Sequence, residues 1–188
     1  MPASVVVRKP DAARRAEVVR AAAVEFGAHG LAGARLDAIA ARVGISHPRI
    51  VQLFGTKRRL FIVAVEDAFD QVAAAFEAAE PDLIRLGEGY RRLLQRRPDV
   101  GLVMFQGYAA AADDEVRAAV RHRYLRLQRL VARRTGADAR QVRTFFATGL
   151  VITVSTVLDL PGRPADARWS AWILERSRAG EALEGAGG

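Results

Sequence analysis

Apolar residues recur every three or four positions along most of this chain, the period of an amphipathic helix. Val19, Ala22, Ala23 and Phe26 share one face and predict a first helix over about 11–28, with Asp11 as N-cap and Gly30 as its stop. A short helix follows at about 36–43, then Gly44, then a helix at about 47–54. The "GTK" at 55–57 restarts the chain, and Thr56 is placed to cap a long helix reaching about residue 79. Pro81, Pro98, Pro161 and Pro164 divide the remainder into helices at about 82–97, 99–112, 114–135, 138–159 and 165–180. The β-branched run "LVITVSTV" belongs to a helix, because Val142, Phe145, Phe146, Gly149, Leu150 and Thr153 are spaced by three and four. The closing "GEALEGAGG" reads as a frayed tail. The expected fold is all-α, with a head at 1–57 and a helical-bundle body at 58–188 that share the long helix after Thr56.

The head fits a helix-turn-helix. Such a motif needs inward apolar residues on its first helix, a small residue at the crossing and a turn residue that tolerates positive φ. Its second helix must bury one face and present the other. Ile39 and Val43 point inward, Ala40 is the small crossing residue, Gly44 makes the turn and Ile45 plugs the core after it. Ile50 and Leu53 bury the second helix, which leaves His47, Pro48, Arg49 and Gln52 outward. Ser46 can cap that helix, and Pro48 is tolerated in its first turn. The alternative is a plain helical hairpin with a glycine turn.

Charge sharpens the picture. The net charge is +8, yet residues 1–60 hold 11 Lys and Arg against 4 Asp and Glu, whereas residues 61–188 hold 18 against 17. A basic head on a near-neutral body suits a polyanion such as DNA. Arg49 can pair with guanine and Gln52 with adenine in a major groove. Arg8, Lys9, Arg14 and Arg15 form either an arm along the DNA or a tail. With no cysteine, there is neither a disulfide framework nor a thiolate metal site. No apolar run reaches the roughly 20 residues of a membrane span. "MPASVVVRKPD" lacks the layout of a signal peptide, so a cytoplasmic protein with no membrane partner is expected.

The stretch "RRAEVVRAAAVEFGAHGLAGARLDAIAARVGISHPRIVQLFGTKRRLF", Arg14 to Phe61, resembles the DNA-binding domain of the TetR family of transcriptional regulators. The resemblance rests on the Ala-rich first helix ending in Phe26 and Gly30, on "IAARVGIS", and on Phe54, Lys57 and Leu60. It implies a homodimer whose two heads grip a pseudo-palindromic double-stranded operator. It further implies a body that binds a small-molecule effector, changes the spacing of the heads and releases the DNA. Dimers of this kind form through the last two helices, and Lys57 contacts phosphate. The expected DNA-facing set is Arg35, Ser46, His47, Pro48, Arg49, Val51, Gln52, Thr56 and Lys57. Five positions depart from the family's pattern. Arg35 replaces a capping Thr, Pro48 a Gly, Arg49 a Thr, Val51 a phosphate-contacting Tyr, and Leu53 an aromatic or His. Arg49 is then the candidate to replace the missing tyrosine contact.

Catalytic chemistry finds no support. Three histidines, at 29, 47 and 122, are scattered without a metal-ligand spacing, and there is no nucleophile elbow, P-loop or dinucleotide glycine pattern. "DDE" at 113–115 sits where a helix begins and reads as a cap. No cofactor is expected. The body's Met104, Phe105, Tyr108, Phe145 and Phe146, with His122, are candidates to line an effector cavity between the helices at about 99–112, 114–135 and 138–159. Gly107 is expected to border that cavity. Leu150, Val151 and Val154, with Trp169, Trp172 and Ile173, are candidates for a two-fold helical interface. The leading reading is an effector-responsive repressor. An architectural DNA binder without an effector and a helical enzyme are the alternatives.

Overall fold

A computed structural model describes residues 11–160, which form eight α-helices and no strand among the described residues. Helix α1 spans Asp11–Gly33, α2 Leu36–Val43, α3 His47–Phe54 and α4 Lys57–Glu77. Helices α5 (Leu83–Arg96), α6 (Pro98–Ala109), α7 (Asp114–Thr135) and α8 (Ala139–Val157) complete the body. The expected helix at 165–180, the tail and the arm residues Arg8 and Lys9 lie outside the described residues, as do Trp169, Trp172 and Ile173.

Local chemistry explains where these helices start. Thr56 Oγ1 accepts the Arg59 N–H at 3.1 Å, and Asp82 accepts those of Ile84 and Arg85 at 2.9 and 3.1 Å. Asp113 accepts from Glu115 and Val116 at 3.0 and 3.2 Å, so the acidic triplet does cap α7. Asp138 and Gln141 form a reciprocal capping box at the start of α8. Pro98 opens α6, where its missing N–H has no intrahelical partner. Gly30 behaves differently from expectation. Its φ of 67° and ψ of −179° break the helical path, but the chain resumes helical turns to Gly33, so the residue kinks α1 rather than ending it.

One apolar core runs through the molecule, and α4 is its spine. Phe61 meets Phe26 of α1 edge-on at 5.0 Å between centroids. Phe69 reaches Tyr108 of α6 at 6.3 Å, and Phe76 reaches Phe145 of α8 at 5.6 Å. These three α4 phenylalanines lie two turns apart on one face, so a single rigid helix of about 30 Å links both ends of the core. Helix α6 packs against α1 as well. Gly27 permits the approach, because a Cβ there would lie 3.1 Å from Leu102 Cβ.

Candidate nucleic-acid interface and a cavity in the body

The turn between α2 and α3 is built as expected. Gly44 adopts φ 66° and ψ 40°, the left-handed conformation, and its neighbour Ile45 donates its N–H back to the Ala40 carbonyl at 3.1 Å. Ile39, Ala40, Ile50 and Phe54 are buried, and Ile45 packs half-buried on the same core. Leu53 is only half-buried, and Phe54 takes the deep position on α3 instead.

The outer face of α3 gathers Ser46, His47, Pro48, Val51 and Gln52, all exposed, with Arg49 half-buried beside them. Arg49 is held on two sides. One guanidinium nitrogen donates to Gln52 Oε1 at 2.6 Å and another to Asp11 Oδ1 at 2.7 Å. His47 Nδ1 lies 2.8 Å from Asp37 Oδ1, tying the start of α3 to the first turn of α2. Ser46 occupies the N-cap position with φ −84° and ψ 152°, but its hydroxyl makes no capping bond. The start of α3 is open to solvent, so water can satisfy those N–H groups and the hydroxyl is left outward.

Arg35 stands exposed at the N-cap of α2 and offers no side-chain cap, as its chemistry dictates. Glu25 of α1 takes over. It is buried, and its carboxylate accepts the Arg35 N–H at 3.2 Å, with Arg42 at 4.0 Å. Sequence reasoning passed over Glu25. Its one signal is a lone acid inside the apolar run "AAAVEFG".

Several basic residues of the head have intramolecular work. Arg14 donates to the Val43 carbonyl at 3.3 Å, at the end of α2. Arg15 donates to the Leu53 carbonyl near the end of α3 and places its guanidinium 4.4 Å over the Phe54 ring. Lys57 Nζ donates to the carbonyls of Ala32 and Ala34 at 3.0 and 3.2 Å, just beyond the kink in α1. Each cation thus meets the negative end of a helix. Arg14 and Arg15 are therefore fastened to the three-helix head, not part of an arm. Thr56, also in the DNA-facing set, spends its hydroxyl capping α4.

The body encloses a cavity of about 440 Å³, within the range of small-molecule sites. Helices α4 to α8 all line it, a wider set than the three helices expected. Met104, Phe105, Tyr108, Phe145 and Phe146 are in its wall. His122 is not. It lies exposed on α7, two residues before Tyr124, which does line the cavity. A two-residue step turns a helix by about 200°, so His122 and Tyr124 look opposite ways. Gly107 also faces elsewhere, since a Cβ there would meet Val65 at 2.9 Å and Val120 at 3.3 Å. Leu150 lines the cavity and is exposed, and Val151 and Val154 are exposed beside it.

The polar atoms of Tyr90 and Thr153 in the cavity are neutral and satisfy each other. Thr153 Oγ1 donates to the Gly149 carbonyl at 2.8 Å and so accepts from the Tyr90 hydroxyl at 2.7 Å. Burial pushes the Tyr90 hydroxyl above the usual tyrosine range, against the pull of that bond. Burial raises Tyr108 as well, with lesser contributions from Tyr90 and Tyr124. All three tyrosines thus stay protonated at neutral pH, Tyr124 being raised by burial too.

Among the described residues no group of His, Cys, Asp and Glu is placed to hold a metal, and no helix is long and apolar enough to cross a membrane. Residues 18–64 match the family described as bacterial regulatory proteins, tetR family. An HTH-type transcriptional repressor of Streptomyces coelicolor is 32% identical over 96 residues, covering 42% of this chain and 50% of that repressor, so the match spans half of the relative's length. A TetR-like transcriptional regulator from Rhodococcus sp. RHA1 superimposes with a TM-score of 0.71 at 23% identity, over 92% of this chain and 100% of that one. The transcriptional regulator FadR from Bacillus subtilis, solved in complex with stearoyl-CoA, gives 0.66 at 16% identity, over 85% of this chain and 95% of that one. At these identities the two structural likenesses are of fold.

Proposed function

We propose, for a chain that belongs through residues 18–64 to the tetR family of bacterial regulatory proteins, that it is a homodimeric, effector-responsive repressor of a pseudo-palindromic operator. The head at 1–57 holds the DNA, and the body at 58–188 dimerises and takes the effector. Helix α3 enters the major groove. Arg49 and Gln52 read base edges there, while Ser46, His47, Thr56 and Lys57 lie toward phosphate. Arg35, Pro48 and Val51 complete the surface against the backbone. Leu150, Val151 and Val154 form part of the dimer face, an exposed apolar stripe on α8 that a second copy would cover.

The observation that carries the regulatory part is the double duty of α6. Met104, Phe105 and Tyr108 present one side of it to the cavity. From the other side, Gln106 Nε2 donates to the Gly27 carbonyl of α1 at 3.3 Å, and Leu102 lies against Gly27. A ligand that alters the position of α6 therefore acts on α1, and through α1 on α2 and α3. It releases DNA only if it favours the arrangement that does not fit the operator, with a coupling typically of about 5–150-fold. An architectural DNA binder would need neither this cavity nor this contact. The stearoyl-CoA complex of the Bacillus subtilis regulator is in keeping with a body of this fold holding a ligand.

Selection of bound sites from random DNA tests the reading. An inverted repeat with half-sites about one helical turn apart is expected. Recovery of unenriched DNA would replace it with an architectural role.

A further inference from the structure

The cavity grades from apolar to cationic. Its depth is walled by aromatic rings; the Tyr90–Thr153–Gly149 chain is internally satisfied, and the tyrosine hydroxyls there are neutral, so no charged donor faces an anion in the depth. At its edge, α8 presents Arg143 and Ala147, four apart and both exposed, with Leu150 where this edge meets the proposed dimer face, so the Arg143 end of α8 is the cavity's mouth. Arg143 is the one charged side chain in the lining, and no Asp or Glu stands in it. Among the described residues its guanidinium pairs with no carboxylate. Asp138, the nearest acid before it on the chain, is engaged with the Gln141 N–H at 2.8 Å. Arg140, one turn before Arg143, adds a second exposed cation to the same end of α8.

We propose that the effector is a carboxylic acid with an apolar body. The body fills the aromatic chamber, and the carboxylate stays at the mouth on the planar donor fork of Arg143. This rests on the reading of the cavity as the effector site. A cationic ligand meets no counter-charge, and a neutral one leaves Arg143 unused. The site is distinct from the expected His122, because α8, not α7, carries the charge to the opening.

Three ligands with one tail separate these cases: decanoic acid, methyl decanoate and decylamine, each titrated calorimetrically into the full-length protein. The acid is expected to bind on the order of tenfold more tightly than the ester, and the amine most weakly. Arg143→Gln should bring the acid down to the ester's affinity and leave the ester unchanged. Arg143→Lys, which keeps the charge but not the fork, should restore part of the difference. Arg143 is exposed, so neither variant disturbs the core, and melting curves check that. The acid should also release operator DNA from the wild type at lower concentration than from Arg143→Gln. Equal binding of acid and ester to the wild type, or an acid preference that survives Arg143→Gln, overturns the proposal while leaving the cavity as an effector site. Binding of none of the three overturns both.

Discussion

Replacing Arg49 with alanine separates base reading from charge neutralisation. In the free protein its guanidinium is held by Asp11 and Gln52 at 2.7 and 2.6 Å, with 36% of the side chain exposed. An ion pair this open is worth about 0.2–1 kcal/mol, so Arg49→Ala should barely move the melting temperature. On DNA the balance differs. A bidentate contact to guanine discriminates by about 1–3 kcal/mol, and a dimer makes it twice. The loss on the preferred operator is then about 2–6 kcal/mol, or about thirtyfold to twenty-thousandfold. Affinity for unrelated DNA should fall far less. Asp11→Asn is the companion variant. It removes a carboxylate that competes for Arg49, so it should strengthen binding to all sequences slightly and leave the preference intact. Fluorescence anisotropy on a panel of operator variants across a salt series measures both quantities. An equal loss on every sequence, with a salt slope shallower by about one per head, makes Arg49 a phosphate clamp. If neither affinity nor slope changes, α3 does not enter the groove and the interface is wrongly drawn.

Lys57→Ala should weaken binding to all sequences alike and reduce the salt slope by about one per head. It should also cost about 1 kcal/mol of stability, because the carbonyls of Ala32 and Ala34 lose their ammonium partner; binding across salt and thermal melts measure the two effects. Glu25→Ala should lower stability by about 2–3 kcal/mol in urea, since it strips the N-terminus of α2 of its acceptor. Glu25→Gln, whose amide oxygen still accepts, should recover part of that. Val151→Glu should yield monomers that bind the operator poorly. Sedimentation showing the wild type already monomeric at micromolar concentration would remove the dimer face from α8.

Helices α2 to α8 begin and end within a few residues of where periodicity and punctuation placed them. Thr56, Gly44, Pro98, Asp113 and Asp138 act within one turn of themselves, so their consequences are readable in order along the chain. The helix-turn-helix was legible for the same reason: Ile39, Ala40, Gly44 and Ile50 are near neighbours with local demands. Long-range partners were not. Arg15 and Leu53 are 38 residues apart, Lys57 and Ala32 are 25 apart, and no local pattern ties them. Arginines that looked like a loose arm proved to be fastenings for helix ends, and a buried Glu25 supplies the cap that Arg35 cannot. The cavity divides in the same way. Its aromatic wall was visible as large side chains at helical spacing, but which cation reaches it was not. Helix α7 carries arginine on nearly every side, so its sequence alone gives little sense of which side turns inward. Packing against α4 and α8 sets that rotation, turning Tyr124 inward and His122 to solvent, and brings Arg143 of α8 to the mouth. Hydrophobic period and capping determined what the elements are; the azimuth of each helix, set by the burial of faces contributed by several others, decided which side chains share a site.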